Sequence, residues 1–250
     1  VNEFEEVCGY KESYSRADLT LYLGHLRRRG LAQSTIDKNL KAIRLLSQIQ
    51  GWEFPSLSLR KVTPDEIRRP TLSKDDIGIT IVMGKSLLAP PELSYLALST
   101  TYGLRRIEMA RLKPQDISPE TVTIHTAKGG AKTTQLVPDE IRPYLEGFKP
   151  YKPDTLTHVF HRIALATGLN ATGGFGWHSI RRSLATELIL ADASALNVIR
   201  FMRWSEPSIR RELGMLTIYA VRDQARIDEA IFKIHPFLPY WRGPGPGERK

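Results

Sequence analysis

Gly176-Trp-His-Ser-Ile-Arg-Arg-Ser-Leu-Ala-Thr-Glu-Leu-Ile189 is the stretch on which the reading of this chain turns. Ile180, Leu184 and Leu188 recur at i, i+4 and i+8, the apolar stripe of a helix packed on a core. His178 and Arg181 are three residues apart and so emerge as neighbours on one turn. Arg181 falls at the edge of the stripe, where a charged head can line a pocket instead of lying loose on the surface. An imidazole beside a guanidinium is suited to gripping an oxyanion and passing a proton.

Downstream of this helix, residues 192–202 predict another, followed by Arg203 and Trp204. Residues 205–214 are polar, with Pro207 and two arginines, and lead into Met215-Leu-Thr-Ile-Tyr-Ala220. A helix is expected over 221–233. His235-Pro-Phe-Leu-Pro-Tyr-Trp241 reads as a short apolar tail that either docks on a neighbouring protomer or folds back on its own chain. The Gly-Pro run and charges of 243–250 predict a disordered end.

Upstream, helices are expected over 139–146 and 154–167, the second with Leu156, Val159, Phe160 and Ile163 on one face. Thr121-Val-Thr-Ile-His125 and Thr133-Thr-Gln-Leu-Val137 alternate as strands. Thr126-Ala-Lys-Gly-Gly-Ala-Lys132 between them is a hairpin turn with Lys128 and Lys132 on either side of Gly-Gly. Neither GxGxxG nor P-loop spacing is present, so these glycines do not form a nucleotide loop. A helix beginning near Leu93 breaks at Gly103. Leu104-Arg-Arg-Ile-Glu-Met-Ala-Arg-Leu112 follows, with Arg105 and Glu108 on one side as an i, i+3 pair.

Residues 55–72, with Pro55, Pro64 and Pro70 among charges, read as a linker, because none of these prolines suits a helix interior. Before it, Ser15 with Asp18 is a capping box for a helix carrying Leu19, Tyr22, Leu23 and Leu26. Arg27, Arg28, Arg29 and Gly30 close that helix. A second helix is expected from Ser34, with Ile36, Leu40, Ile43 and Ile49 buried. Lys38, Lys41 and Arg44 lie on another face and, with Arg27 to Arg29, read as a surface for phosphates. Residues 1–14 show no periodicity. The expected division is a helical domain over 1–54, the linker over 55–72, and a second domain over 73–242. The fold class is mainly α with a small antiparallel β-sheet.

Composition narrows the function. The 250 residues carry 36 Lys+Arg against 27 Asp+Glu, a net charge of +9, which favours an anionic partner, nucleic acid first. The single cysteine, Cys8, excludes an internal disulfide and a multi-cysteine zinc site. No apolar run is long enough to span a membrane. The chain opens at Val1 without Met, which points to a trimmed N-terminus and a further domain upstream. The expected setting is the cytoplasm or nucleoid, or the host cytoplasm for a virus-encoded protein.

The order of parts carries a resemblance. Gly-Leu-Arg105-Arg-Ile-Glu108, Lys128 in a hairpin turn, His178-Ser-Ile-Arg181, Trp204 and Thr-Ile-Tyr219 follow one another along the chain. Over most of residues 72–233 this resembles the catalytic core of the tyrosine recombinases, or phage-type integrases. The helices at 15–50 resemble that family's core-binding domain, which clamps DNA. The resemblance implies site-specific breakage and rejoining of double-stranded DNA. Arg105 and Arg181 would be the two catalytic arginines, and Glu108 the acid supporting the first. Lys128 would be the hairpin lysine and His178 the histidine of His-x-x-Arg. Trp204 stands where many members have histidine and some tryptophan, and an indole N–H still donates to a phosphate oxygen. Tyr219 would be the nucleophile, with Tyr240 as the fallback.

The spacing from Trp204 to Tyr219 exceeds the family's by several residues, which places an insertion at 205–214. No metal and no cofactor are implied. A dimer on the recombination site and a tetramer in the synaptic complex are implied. The neighbouring readings are a type IB topoisomerase, which shares the chemistry, and a DNA-binding regulator without it.

Overall fold

The computed structural model describes residues 2–57, 71–126, 132–170, 174–204 and 223–243. The chain divides into two compact units, Val1–Arg69 and Pro70–Lys250.

Among its described residues the first unit holds three helices, α1 (Asn2–Cys8), α2 (Arg16–Arg28) and α3 (Gln33–Gln50). The capping box at the start of α2 forms: the Asp18 N–H donates to Ser15 Oγ at 3.3 Å, and the Ser15 N–H donates to Asp18 Oδ2 at 2.8 Å. Leu19, Tyr22, Leu23 and Leu26 are buried. Helix α1 departs from the reading of residues 1–14 as featureless. Seven residues cannot hold a helix on propensity alone. Packing supplies the rest: Phe4 is fully buried, with its ring 4.6 Å from Tyr14 and 5.1 Å from Tyr22. Cys8 closes the same cluster as a buried thiol. Helix α3 begins one residue before Ser34, after Ala32, which offers no side-chain cap. Ile49 is exposed and Ser47 takes the buried place instead, because the stripe ends a turn earlier.

The second unit begins with α4 (Lys74–Leu87), whose Ser73–Asp76 capping box forms, and α5 (Pro90–Tyr102). From Leu93 to Tyr102 every residue of α5 is buried, so this helix forms the axis of the core. Prolines at its first turn suit positions that lack an intrahelical donor duty, and Gly103 ends it in the left-handed region (φ 57°). Then come α6 (Arg106–Arg111), the strands β1 (Thr121–His125) and β2 (Lys132–Leu136), α7 (Arg142–Leu145) and α8 (Pro153–Thr167). The strands pair antiparallel, Thr121 opposite Leu136 and His125 opposite Lys132, one residue earlier on the second strand than expected. Helix α7 is one turn, half the length predicted over 139–146. Next are α9 (Trp177–Leu190), α10 (Ala195–Phe201), α11 (Gln224–Lys233) and α12 (Leu238–Trp241). The class is therefore mainly helical, with one two-stranded antiparallel sheet among the described residues.

In α9 the stripe Ile180, Leu184 and Leu188 is buried as predicted. Ser183 Oγ donates to Leu72 O at 2.6 Å and ties the start of the unit to this helix. The apolar tail folds back on its own chain: Phe237, Leu238 and Trp241 are buried in the unit's core, and Trp241 Nε1 donates to Thr100 Oγ1 at 3.1 Å. Tyr240, the fallback nucleophile, lies with its ring against Gly78 of α4. The expected tail over 243–250 lies outside the described residues beyond Gly243.

Gly147 follows α7 and touches the start of α5. A Cβ there would sit 2.5 Å from Pro90 Cβ and 2.9 Å from the Pro90 carbonyl carbon, and neither can swing away. Gly147→Ala is expected to destabilise the unit by about 1–3 kcal/mol, as overpacking does. Denaturant titration checks this, with no loss of stability as the contrary result.

Candidate active site

The site is built on the C-terminal end of α5. The last carbonyls of any helix lack intrahelical donors and carry the negative end of its dipole. Here that end is buried, so the donors have to come from the protein. His235 Nε2 meets Thr101 O at 3.0 Å, Arg203 Nη2 donates to Tyr102 O at 2.8 Å, and Arg181 Nη1 donates to Gly103 O at 2.5 Å. Three successive carbonyls thus receive side chains from three separate parts of the chain. The two arginines also cap α10: Arg181 Nη2 donates to Met202 O, and Arg203 Nη1 donates to Phe201 O at 2.8 Å.

Arg181 is 3% exposed. Each of its terminal nitrogens carries a second N–H beyond the one given to a carbonyl. Burial, then the charges of Arg203 and Arg105, push its guanidinium down to about 9, and it stays cationic at neutral pH. Arg105 is more open, its side chain 25% exposed, and it donates from Nη1 to Glu108 Oε1 at 2.6 Å. The Arg105 N–H donates to Glu108 Oε2 at 2.9 Å. The predicted i, i+3 pair is therefore real, but it is no surface pair, because Glu108 is fully buried. Burial alone would raise its carboxyl. The charge of Arg203 and the bonds from Arg105 outweigh this and hold it below the usual range.

Arg203 and its surroundings went unread in the sequence. Its guanidinium is buried, faces Glu108 Oε2 at 3.7 Å and donates to Gln135 Oε1. Its backbone is left-handed (φ 53°), and its N–H meets Arg200 O while that of Trp204 meets Ile199 O. This is the turn that usually ends a helix on glycine. A residue with a Cβ there costs about 1 kcal/mol or more. Nothing in the hydrophobic period marks such a residue. Gln135 did leave a signal, a polar side chain on the inward register of β2, and it is 1% exposed. Behind it Asp228 of α11 accepts from Leu136 N at 2.8 Å, Gln224 Nε2 at 2.8 Å and Gln135 Nε2 at 3.2 Å. Three guanidiniums against Glu108, with Asp228 behind, leave the cluster in positive excess, as an anion site requires.

Of the other predicted residues, His178 lies exposed on the first turn of α9, three residues from Arg181, and Trp204 is 38% exposed beyond α10. Lys132 begins β2 and is exposed. Lys128 and Tyr219 lie outside the described residues. In the first unit Arg27, Arg28, Lys38 and Lys41 are exposed. Arg29 pairs with Glu3, and the Arg44 guanidinium lies 4.8 Å from the Phe54 ring, so these two also serve the unit's own packing. No helix among the described residues is long and apolar enough to cross a membrane.

Among solved structures the chain is similar to the integrase from mycobacterium phage Brujita, at 18% identity and TM-score 0.51, over 96% of this chain and 88% of that one. It is also similar to lambda integrase in two structures of a dimer bound to a COC' core site, both at 18% identity. One gives a TM-score of 0.54 over 76% of this chain and 78% of the other, the second 0.55 over 85% and 65%. No protein-family model and no curated protein matches it. These likenesses define a class of fold. That fold is the one shared by the tyrosine recombinases and phage-type integrases.

Two buried groups around the cluster titrate in opposite senses. Burial raises Asp228 from 3.8 to about 6, so the folded state binds the proton more tightly and stability falls as pH rises from about 4 to 6. Burial lowers His235 from 6.5 to about 4, so the unfolded state binds the proton more tightly and stability falls as pH drops from 6.5 to 4. Each effect is on the order of 3 kcal/mol. The stability of the wild type minus that of Asp228→Asn is expected to fall with rising pH over this window, and wild type minus His235→Gln to rise. Urea unfolding at half-unit pH steps measures both; two slopes of the same sign would contradict the assignment.

Proposed function

We propose that this protein is a site-specific DNA recombinase that breaks and rejoins double-stranded DNA through a covalent 3′-phosphotyrosine at Tyr219. The observation that carries the reading is the Arg105–Glu108–Arg181 cluster, in positive excess, with His178 exposed three residues before Arg181 on α9, in a fold shared with integrases. A phosphodiester repels nucleophiles, and charge grows on its non-bridging oxygens during attack. The open guanidinium of Arg105 and the remaining N–H groups of Arg181 are suited to hold that charge. Trp204 adds an indole N–H donor at the rim.

Tyrosine has an ordinary pKa of about 10 and has to lose its proton to attack. His178 can accept or share it. The leaving 5′ oxygen requires a proton, which Lys128 supplies. The phosphotyrosine keeps the bond energy for rejoining, and no step calls for a metal or cofactor. The exposed cations Arg27, Arg28, Lys38 and Lys41, with Arg29 and Arg44, contact the DNA backbone from the first unit, and Lys132 from the second. Two copies on a recombination site and four in a synaptic complex complete the reading.

Incubation with a nicked suicide duplex in the presence of a chelator tests it. Wild type is expected to form a covalent protein–DNA adduct and Tyr219→Phe none, while Arg105→Ala slows adduct formation about 100- to 1000-fold, as loss of an oxyanion donor does. Relaxation of supercoiled DNA without any target site would assign a type IB topoisomerase instead. A gel shift without adduct from wild type would leave a DNA-binding regulator.

A further inference from the structure

The Arg105–Glu108 pair is held from behind by a residue that the function above does not use. Glu108 is fully buried, and Arg105 reaches it from the more open side, through both Nη1 and the backbone N–H. On the buried side the one guanidinium facing Glu108 among the described residues is Arg203, 3.7 Å from Oε2. Arg203 is itself fixed by three acceptors on three elements: Tyr102 O at the end of α5, Phe201 O at the end of α10, and Gln135 Oε1 on β2. Its Nε is buried with no hydrogen-bond partner among the described residues, so the head is aimed by these contacts rather than by full satisfaction.

The backbone tells the same story. Arg203 occupies the left-handed closing position of α10, where glycine is at ease and any Cβ is strained. Strain of this kind persists only where the surroundings over-determine it, and it gathers at working sites. The next residue is Trp204, whose N–H is fixed on Ile199 O by that same turn. One residue therefore anchors both the acid beneath Arg105 and the start of Trp204.

We propose that Arg203 is a positioning residue for DNA strand cleavage: its buried guanidinium fixes the Glu108 carboxylate that orients Arg105, and its left-handed turn sets Trp204. This rests on the strand-cleavage reading. The competing role is a plain turn residue, for which glycine would serve as well or better.

Arg203→Gly separates the two, because it eases the backbone and deletes the guanidinium. Cleavage of the suicide duplex at saturating protein is expected to slow about 10- to 100-fold, the scale of a misplaced catalytic group, with DNA affinity unchanged. Arg203→Lys keeps the charge and is expected to recover part of the rate. In combination with Glu108→Gln the loss from Arg203→Lys is expected to vanish, since two residues acting through one contact do not lose independently. This pair carries the test if the glycine variant does not fold.

A readout free of cleavage accompanies these: the side-chain Nε–Hε NMR signal of Arg105, assigned with Arg105→Lys, is expected to broaden in Arg203→Lys and Arg203→Gly. Wild-type cleavage by Arg203→Gly with an unchanged Arg105 signal would overturn the proposal, as would losses that multiply in the double variant. Absence of an adduct from wild type would instead sink the strand-cleavage reading, and the Arg105 signal would still decide whether Arg203 positions it.

Discussion

The carbonyl end of α5 is the constraint on which the second unit depends. A helix buried from Leu93 to Tyr102 cannot leave its last carbonyls to water. Each uncompensated buried acceptor would cost on the order of 1–3 kcal/mol. The fold meets the demand with His235, Arg203 and Arg181, which arrive from the C-terminal tail, the end of α10 and the first turns of α9. Those three approaches fix where the later elements lie around α5. They also deliver two cations to one place, which a scaffold of apolar contacts alone would not do. The means of satisfying a helix end and the means of gathering positive charge are the same side chains.

Buried charge has to be balanced, and here the balance is deliberately incomplete. Glu108 takes one guanidinium from the open side and one from the buried side, and Asp228 sits behind Gln135. Removing either partner of such a buried pair typically costs about 3–5 kcal/mol, because the survivor is stranded. What remains unbalanced is Arg181 and the open face of Arg105. The neutral member of the trio has its own logic. His235 Nδ1 accepts the N–H groups of Phe237 and Leu238, both at 3.2 Å, which leaves the proton on Nε2 toward Thr101 O. A second proton would face those two donors, so this ring caps without adding charge and ties down the tail besides.

What was legible in the sequence follows from range. The capping box at Ser15, the stop at Gly103 and the stripe of α9 are local rules, and each appears where the residues predict it. The pairing of Arg105 with Glu108 was legible as spacing, but its burial was not, since α6 packs against the distant α8 and β1 and Glu108 faces Arg203. Helix α1 was missed because it is held by rings from Tyr14 and Tyr22, not by its own pattern. The fate of the apolar tail turned on Thr100, far back in the chain. Arg203 was invisible for a different reason. Its role lies in a left-handed turn and in contacts with residues 102, 108 and 135, none of which leaves a period.

The choice of arginine over lysine at 181 and 203 follows from geometry. Each head has to reach two carbonyls at two helix ends at once. An ammonium is a single point with three donors, strongly hydrated and poorly suited to burial. A guanidinium spreads five donors over a rigid plane and sheds water more readily. Arg181 can therefore serve as a structural cap with one N–H of each terminal nitrogen and still present the other. Under the proposed strand-cleavage reading, capping and anion binding do not compete for the same hydrogens, although Arg181 is only 3% exposed. It also means that the free edge of this guanidinium is set by the carbonyls at the ends of α5 and α10. Anything that shifts those two helix ends shifts the guanidinium with them.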